Sequence, residues 1–468
     1  MLSIGINRQA TFNAGGALAP RIQDMFGGGH KGLYLDVSDS STVFGSGGST
    51  PSYGGLVSSV NDKSGNSNNV TFSGKPRYGR HPTSGLRNLI NDSDNFVGTS
   101  GQSPNFRGWQ PFAGSTQLTT SSAETSPETN ATVCRVFYDD DGGFISAVPY
   151  GVNAHLRDAG TYTASVYYKT NGTGTKPTVD LLVAFANVIA TFDVSAGTVA
   201  LSGSTAKHHS SSVTNAGNGW YLCKLSVDCV AADSISSPAF IGVDASGSYA
   251  DFATHTSEFF ISAPQLELGT ARTAFQETAT HYDVSQEGQD QVDYLSFEGA
   301  QYGRIADMGD FFTNASVMVG ATCLTGTPKQ SIVHFGDDTS VGMHVHVDAS
   351  EIKNTAKGNN SGAITVETSD VGGQITFPLK SAIFAETQLA GSSTTITLGS
   401  QGHDGTSSSG LGGGNLNAQP LQIGASNTDS TADTFLKGRL YQLVVISKIP
   451  TAEEKTTAST IIDAKVGV

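Results

Sequence analysis

Short runs of alternating apolar and polar residues, separated by turn-forming residues, recur from Gly32 almost to the C-terminus. The segments Gly32–Val37, Gly160–Lys169 and Arg439–Ile446 are typical strand candidates, and Asn171-Gly172 is a turn signal of the kind that joins paired strands. Many short strands at this spacing favour sandwiches and jelly rolls. The chain is therefore predicted to be an all-β protein built from antiparallel β-sandwiches.

One helix is predicted, and it lies at the C-terminus. Thr451 stands three residues before Glu454, which is the spacing of a capping box at the start of a helix. The apolar residues that would form the buried face of this helix are Ala458, Ile461, Ile462 and Ala464. We expect a short helix that closes the fold by packing one face on a sheet.

The polar surface of the predicted sheets consists largely of uncharged residues. Of the 468 residues, 37% are hydrophobic, only 14% are charged, and 56 are Gly. Low charge argues against disorder, which usually combines low hydrophobicity with high charge. The net charge is −15 and no basic cluster is present. We therefore expect binding neither to nucleic acid nor to an anionic membrane surface.

The N-terminal residues 1–32 are predicted to form an arm. They are rich in Gly and Ala, end near the run Gly27-Gly28-Gly29, and allow one short helical turn around Arg21–Phe26. Such an arm is either disordered or ordered only against a partner. The segment Met1–Phe26 lacks the charged and apolar regions of a signal peptide. Synthesis in a cytoplasm, without export by the general route, is the expectation.

A first set of motifs lies at both ends of the chain. The stretch Gly32–Asn66 begins Gly-Leu-Tyr-Leu-Asp-Val and ends Asn-Asp-Lys-Ser-Gly-Asn, and Tyr294–Tyr302 reads Tyr-Leu-Ser-Phe-Glu-Gly-Ala-Gln-Tyr. The segments Pro420–Ala425 and Phe435–Val445 follow. Together these motifs resemble the concanavalin A-like, laminin-G-type sandwich domains of phage structural proteins. The resemblance implies a sandwich whose first strands are separated from the rest by more than 220 residues.

A second set of motifs lies between these two parts. The matching segments are Asn88–Phe96 with Trp109, Tyr162–Lys169, Phe192–Val199, Gly217–Tyr221, and Gln265–Ala271 with Phe275. They resemble a carbohydrate-binding-module-like jelly roll. Arg272-Thr273 stands where that family has a Pro near its end, so the chain departs from the pattern there.

The two resemblances imply a discontinuous arrangement of domains. After the arm, residues 33–86 and 279–468 would form one laminin-G-like sandwich, and residues 87–278 would form a jelly roll inserted into it. An exposed loop tolerates such an insertion when the termini of the inserted domain lie close together. The alternative is three domains in series, in which 33–86 would be a small unit with a marginal core.

Candidate metal ligands are few. Asp139, Asp140 and Asp141 concentrate three carboxylates in a turn, an oxygen-rich arrangement that a structural Ca²⁺ could use, although a solvated turn is the simpler interpretation. Asp337-Asp338 is a weaker case of the same kind, and the phage-type folds named above often hold such an ion. Further candidates are His344 with His346, two apart on one strand, and the adjacent pair His208-His209, which we expect in an exposed loop.

The four cysteines are not arranged as a metal site. They are Cys134, Cys223, Cys229 and Cys323, and no two form a C-x-x-C pair. Buried free thiols are favoured over a Cys223–Cys229 bridge.

Sequence motifs of catalysis are not found, and we expect a non-enzymatic protein. Apart from the structural Ca²⁺ considered above, no cofactor is expected. Paired carboxylates for glycoside hydrolysis are set by spatial position, so a polysaccharide-degrading spike enzyme stays an alternative. Trp109 and Trp220 are predicted to be core residues. Tyr53, Tyr78 and Tyr249 could stack on a sugar if exposed.

The function expected from these features is structural. The resemblance implies a surface component of a phage or phage-like particle, of the head or tail fibre, spike or decoration type, that could bind a host-surface glycan. Residues 1–32 would attach it to other virion proteins, assembly would take place in the host cytoplasm, and a homotrimer is expected. A carbohydrate-binding adhesin outside a virion is a further alternative.

Overall fold

A computed structural model describes most of the chain from residue 21 onwards. The described residues are 21–85, 87–90, 93, 108–111, 117–121, 123–129, 131–138, 145–148, 160–170, 178–183, 186–230, 241–244, 257–280, 282–309, 311, 313–323, 328–336, 342–348, 351–357, 364–367, 379–389, 393–398, 403–407, 416, 419–428 and 431–466. Strands dominate these residues, and one α-helix follows them, which confirms the predicted all-β class with a C-terminal helix.

The strands fall into three successive groups along the chain. The first group is Gly32–Asp36 (β1), Val43–Phe44 (β2), Ser59–Val60 (β3), Val70–Ser73 (β4) and Arg77–Pro82 (β5). The second is Gly108–Pro111 (β6), Gln117–Thr120 (β7), Val133–Tyr138 (β8), Ile145–Val148 (β9), Gly160–Thr170 (β10), Thr178–Val183 (β11), Val188–Asp193 (β12), Thr198–Gly203 (β13), His208–Gly217 (β14), Trp220–Cys229 (β15), Ile241–Asp244 (β16) and Ser257–Leu268 (β17).

The third group contains the remaining strands and the helix. It is Glu277–Thr280 (β18), Asp283–Ser285 (β19), Gln291–Glu298 (β20), Tyr302–Ile305 (β21), Asn314–Cys323 (β22), Gln330–Gly336 (β23), Gly342–Asp348 (β24), Glu351–Lys357 (β25), Ile364–Glu367 (β26), Leu379–Gln388 (β27), Ser393–Leu398 (β28), His403–Ser407 (β29), Leu421–Ile423 (β30), Ser426–Thr428 (β31), Thr431–Asp433 (β32), Lys437–Ile446 (β33) and Ala452–Val466 (α1). Short 3-10 helices span Ile22–Phe26, Ser40–Thr42 and Thr205–Lys207.

Two sheets built from the first and third groups form what we call the first sandwich. Sheet 1 has the order β18-β19-β5-β20-β33-β22-β27-β28-β29, with β1 also paired to β33, and sheet 2 has the order β2-β3-β4-β21-β30-β23-β24-β25-β26. Side chains from both sheets, such as Leu35 and Val319 from sheet 1 and Phe335 and Ile423 from sheet 2, belong to one buried cluster. Strands from the two ends of the chain therefore share one core.

The second group of strands forms a second sandwich. Sheet 3 has the order β14-β15-β10-β17-β8-β7, and sheet 4 has the order β13-β12-β11-β16-β9-β6. Its core joins Tyr162, Leu225 and Phe259 of sheet 3 to Leu181 and Phe192 of sheet 4. The predicted boundaries at 86/87 and 278/279, understood as limits of independently folding units, stay a prediction.

A buried ionic network ties the first strand to the loop that follows β3 and to the helix. The carboxylate of Asp36 accepts a hydrogen bond from Lys63 at 3.3 Å and a second from Lys465 of α1. Burial alone would raise the pKa of Asp36, but the two ammonium groups hold it below its ordinary value. The Asn-Asp-Lys-Ser-Gly motif is thus explained, because Asp62 accepts from Tyr34 N at 2.9 Å and so holds Lys63 in place.

The segment before β1 is packed against its own chain. Ile22, Met25 and Phe26 are buried in a cluster that also contains Tyr441 of β33 and Ile462 of α1. The expectation that the whole of 1–32 is ordered only against a partner is therefore wrong for residues 22–26, because three apolar side chains on one short turn find a hydrophobic surface on the outer face of sheet 1. Residues 1–20 lie outside the described part of the chain.

Helix α1 covers the same outer face of sheet 1. The predicted capping box is confirmed, since Glu454 N donates to Thr451 Oγ1 at 3.2 Å and Thr451 N donates to the Glu454 carboxylate at 2.8 Å. Ala458, Ile462 and Val466 are the buried residues. Ala464, predicted to be buried, is exposed, because it lies two residues from both Ile462 and Val466 and so falls on the opposite side of the helix from the buried series at four-residue spacing. Within the described residues, no helix is long and apolar enough to cross a membrane.

Replacing Ile462 by Ala is expected to lower the free energy of unfolding by about 2–5 kcal/mol, because the side chain is fully buried between α1 and sheet 1. Urea denaturation measures the change. Thr460→Ala, two residues away on the exposed side of α1, is the matched control and should shift stability by less than about 0.5 kcal/mol. Equal effects of the two substitutions would show that the helix does not pack on the sheet.

Candidate functional site

The face of sheet 3 that points away from the core of the second sandwich carries polar, charged and aromatic side chains. Alternate residues of β10, from Tyr162 to Tyr168, lie in the core. The intervening side chains Thr163, Ser165, Tyr167 and Lys169 therefore point to the opposite side of the sheet, because successive residues of a strand alternate between its two faces. We call this side the outer face.

The strand register assembles three rows across the outer face. Lys169 lies between Trp220 and Phe260, Tyr167 lies between Leu222 and Ser262, and Ser165 lies between Lys224 and Gln265. Trp220, Phe260 and Val133 form a small apolar cluster, and Tyr167 packs against it. One end of the outer face is thus aromatic and apolar, and the end around Ser165 is polar.

A loop within 123–129 lies over one half of this face and carries two carboxylates. Glu124 accepts a hydrogen bond from Lys169 at 2.5 Å. Glu128 accepts from Arg272 at 2.6 Å and from the Tyr167 hydroxyl at 3.2 Å. Both carboxylates are therefore bound to cations of the sandwich, and the loop is attached to the face by charged contacts.

Arg272, in the segment that follows β17, also packs on the outer face. Its guanidinium carbon lies 4.9 Å from the centroid of the Tyr167 ring, and its side chain is only 7% exposed. Burial raises the pKa of Tyr167, and the nearby positive charge of Arg272 only partly offsets this effect. The side of the face formed by β14 and β15 is more open, since Leu222, Lys224 and Ser212 are half-buried and Thr214 is exposed.

The predicted aromatic residues are placed as follows. Trp220 is 2% exposed and thus buried as predicted, in the apolar cluster of the outer face, and the side chain of Trp109 lies outside the described part, as does Tyr249. Tyr78 is buried and therefore cannot stack on a sugar. Tyr53 is half-buried, but its ring is stacked on Tyr78 at 5.1 Å and carries the guanidinium of Arg80 at 4.5 Å.

Tyr53 and Tyr78 instead bind one carboxylate of the first sandwich. Their hydroxyls donate to the two oxygens of Asp293, at 3.2 and 2.9 Å. Burial raises the pKa of Asp293, while the two hydroxyl donors and Arg80 oppose that effect. Arg80 is itself paired with Asp283 at 2.6 Å. These contacts hold the loop that carries Tyr53 against sheet 1, which is a structural role.

The histidines of sheet 2 form a buried stack. His344 and His346 share a face of β24, as predicted, and His334 of β23 joins them, with ring centroids 4.4 and 4.3 Å apart. The Oγ of Ser331 lies 2.7 Å from Nε2 of His344. Burial, together with neighbouring His334, holds the pKa of His344 well below its usual range, and burial and Lys329 lower the pKa of His346 to about 3. The imidazoles of His344 and His346 are therefore neutral near pH 7.

The structure brings together no metal site among the residues that it describes. The three aspartates Asp139, Asp140 and Asp141 lie outside the described residues, as do Asp337 and Asp338, so a structural Ca²⁺ at these positions stays a prediction. His208 and His209, which were expected in an exposed loop, instead begin strand β14, and only His209 is exposed. His209 lies 3.2 Å from Asp228, and His208 contacts Ser211.

The cysteines are buried free thiols, as predicted. Burial raises the pKa of Cys323 to about 12 and raises that of Cys223 as well. Such thiols are poor nucleophiles, because the reactive species is the thiolate.

Sequence patterns alone miss the polar half of the outer face. Arg272 was visible only as a departure from the Pro of the jelly-roll motif, and Glu128 and Ser165 carry no motif at all. They meet because β10, β17 and two connecting segments converge in space. The deviation at Arg272 is the one signal that could have pointed to this position.

The solved structures that resemble the chain include sugar-binding and laminin domains. One is the CBM40 of the Ruminococcus gnavus IT-sialidase, with 8% identity, 31% of this chain and 83% of that chain covered, and a TM-score of 0.25. Domains LG4-5 of the mouse laminin alpha1 chain share 11% identity over 61% and 83%, with a TM-score of 0.26. Domain 4 of AbnA, a GH43 extracellular arabinanase from Geobacillus stearothermophilus in complex with arabinotriose, shares 12% over 36% and 76%, with a TM-score of 0.27.

No protein-family model and no curated protein matches the chain. The function proposed below therefore rests on the residues of the chain itself.

The histidine stack predicts acid sensitivity. Because the folded-state pKa of His346 lies below the ordinary value of about 6.5, the unfolded chain binds more protons below that pH, and the free energy of unfolding falls as pH drops from about 6.5 toward 3. In His346→Gln this contribution is absent. Between pH 7.5 and 5 the stability difference between wild type and variant should move by about 2 kcal/mol in favour of the variant.

Chemical denaturation at the two pH values measures this shift. Leu201→Ala, at an exposed position without a titratable group, is the control and should keep a constant difference from wild type. A constant difference for His346→Gln as well would show that this imidazole is not neutral and buried in the folded protein.

Proposed function

We propose that this chain is a non-catalytic, glycan-binding surface component of a phage or phage-like particle. The observation that carries the proposal is the open side of the outer face of sheet 3, where the half-buried side chains of Leu222 and Tyr167 adjoin hydroxyl and ammonium groups on one rigid sheet. Sugars present apolar ring faces together with hydroxyl groups, so a surface that combines both kinds of contact suits them.

The open side of the outer face is the place for a sugar chain. Leu222 and Lys224 of β15 and Ser212 of β14 are half-buried there, next to Tyr167 and Ser165 of β10. This open side offers an apolar contact, an ammonium group and hydroxyls on neighbouring strands. Because the side chains stand on paired strands, little conformational entropy is lost when a ligand binds.

A non-catalytic role is supported by the carboxylates of this face. Glycoside hydrolysis needs one carboxyl group that holds a proton and a second that acts as base or nucleophile. Glu124 and Glu128 are each already paired with a cation, Lys169 and Arg272 respectively, and so hold the loop of 123–129 on the face.

Hydrolysis is the second candidate function, and one observation favours it. Asp180 of sheet 4 is a buried carboxyl group whose pKa burial raises to about 6, with a hydrogen bond from Thr191 opposing the effect. Its partner in the strand register is Asp244. A raised pKa is the property that a general acid requires.

Attachment to a particle is proposed from the sequence resemblance to phage structural domains. Residues 1–32 would supply the contact with other virion proteins, and the packing of residues 22–26 on sheet 1 would fix the point at which the attaching segment leaves the sandwich. We propose a homotrimer, assembled in the host cytoplasm.

Binding of the purified full chain to an array of neutral and acidic oligosaccharides tests the glycan site. We expect at least one glycan to bind, and Leu222→Ala to weaken it about tenfold, because the substitution removes apolar contact area. Leu201→Ala, at an exposed leucine on β13 of sheet 4, is the matched control and should bind as wild type does. Absence of binding to every glycan would overturn the proposal.

The same incubations are assayed for new reducing ends. None is expected, and their release by wild type but not by Asp180→Asn would replace binding by hydrolysis as the function.

Mass spectrometry of purified particles from the producing host tests the structural role. The chain is expected in intact virions at a copy number divisible by three, since a trimer is proposed. Its absence from intact particles, with the protein present in the lysate, would contradict the particle assignment and leave an adhesin outside a virion.

A further inference from the structure

We infer that the outer face of sheet 3 contains an anion subsite, formed by Arg272, Ser165 and Lys224, that takes the carboxylate of an acidic sugar residue. The inference rests on the proposed function and deepens it, because it names the class of glycan. Its basis is that Arg272 and Ser165 carry buried hydrogen-bonding groups with no partner among the described residues.

Arg272 is the central residue. Its Nη1 donates to Glu128 at 2.6 Å and to the carbonyl oxygen of Thr273 at 3.1 Å. Within the described part of the chain, its Nε and Nη2 have no hydrogen-bond partner, although both atoms are buried. A buried guanidinium N–H without a partner is costly, so this edge of the group is expected to meet a ligand or water.

The geometry of the unused edge identifies the ligand chemistry. The Nε–H and Nη2–H groups of an arginine point in the same direction, side by side, and match the two oxygens of a carboxylate. Glu128 occupies the opposite side of the guanidinium and stabilises its charge there. The Tyr167 ring, 4.9 Å from the guanidinium carbon, fixes the plane of the group. The free edge is thus oriented before a ligand arrives.

Ser165 and Lys224 extend the subsite across the sheet. Ser165 precedes Tyr167 by two residues and points to the same face, and its fully buried hydroxyl has no partner among the described residues. Lys224 lies directly opposite Ser165 in the register of β10 and β15, on the open side of the face. An ammonium group, a hydroxyl and a guanidinium edge therefore belong to one face of the sheet, with Lys224 on its open side.

An acidic sugar suits this subsite better than a free inorganic anion. The donors come from two strands and from the segment after β17, and the neighbouring Leu222 and Tyr167 offer apolar contact that a small ion cannot use. The whole chain carries a net charge of −15. A local site of positive charge is therefore needed for an acidic glycan to bind here at all.

Isothermal titration of the full chain with oligogalacturonate, with its carboxyl-reduced counterpart and with a sulfated oligosaccharide of equal length tests the subsite. We expect oligogalacturonate to bind about 10- to 100-fold more tightly than the reduced form, and Arg272→Gln to abolish that difference, as the loss of a charge-assisted hydrogen-bond pair predicts. Arg304→Gln, at an exposed arginine of the first sandwich, removes the same charge and should change nothing.

Lys224→Gln and Ser165→Ala keep the test decisive if Arg272→Gln fails to fold, because neither side chain takes part in the contacts of Glu128. Each is expected to weaken the binding of oligogalacturonate several-fold and to leave the binding of the reduced form unaffected.

Equal binding of the acidic and reduced forms, unchanged by these variants, would overturn the subsite while the glycan-binding proposal stands. Equal binding of the sulfated oligosaccharide would overturn the assignment to carboxylate. Binding of none of these ligands, nor of any array glycan, would overturn both proposals.

Discussion

The pairing of the first strand with the last is the contact on which the first sandwich depends. Strand β33 is bordered by β22 along one edge, while β20 and then β1 share its other edge, so three distant parts of the chain meet on one strand. The ionic contact between Asp36 of β1 and Lys465 of α1 adds the helix to this junction. The pairing of β1 with β33 closes a loop that contains most of the chain, and this closure costs chain entropy. Five paired residues and a shared core offset that cost.

The two sandwiches cover their outer sheet faces by different means. On sheet 1, apolar side chains of α1 and of residues 22–26 bury an apolar surface, which stabilises the fold. On sheet 3, the covering loop is attached through the ion pairs of Glu124 and Glu128 and leaves the β14–β15 side half-open. Charged contacts that fix a loop beside an open polar surface are what a recognition site requires, because the donors stay oriented without being consumed.

Much of the strand content could be predicted from local pattern, and particular side chains show where the prediction ends. The alternation in Gly32–Val37 predicts β1, and the spacing of Thr451 and Glu454 predicts the start of α1, because each depends on neighbours in sequence. Tyr78 was expected among possible sugar contacts and is buried, since its partner Asp293 lies 215 residues away. His334 completes a histidine stack that the pair His344 and His346 did not reveal, because it belongs to another strand.

By itself, the sequence determined the all-β class, the capped C-terminal helix, the burial of Trp220 and the free state of the cysteines. These properties follow from period, composition and local hydrogen bonds. Only the tertiary structure decided which side chains share the outer face of sheet 3. Ser165, Lys224 and Arg272 lie on separate segments, and strand register together with the path of the chain after β17 brings them together. Residues far apart in sequence carry no local pattern that marks them as neighbours.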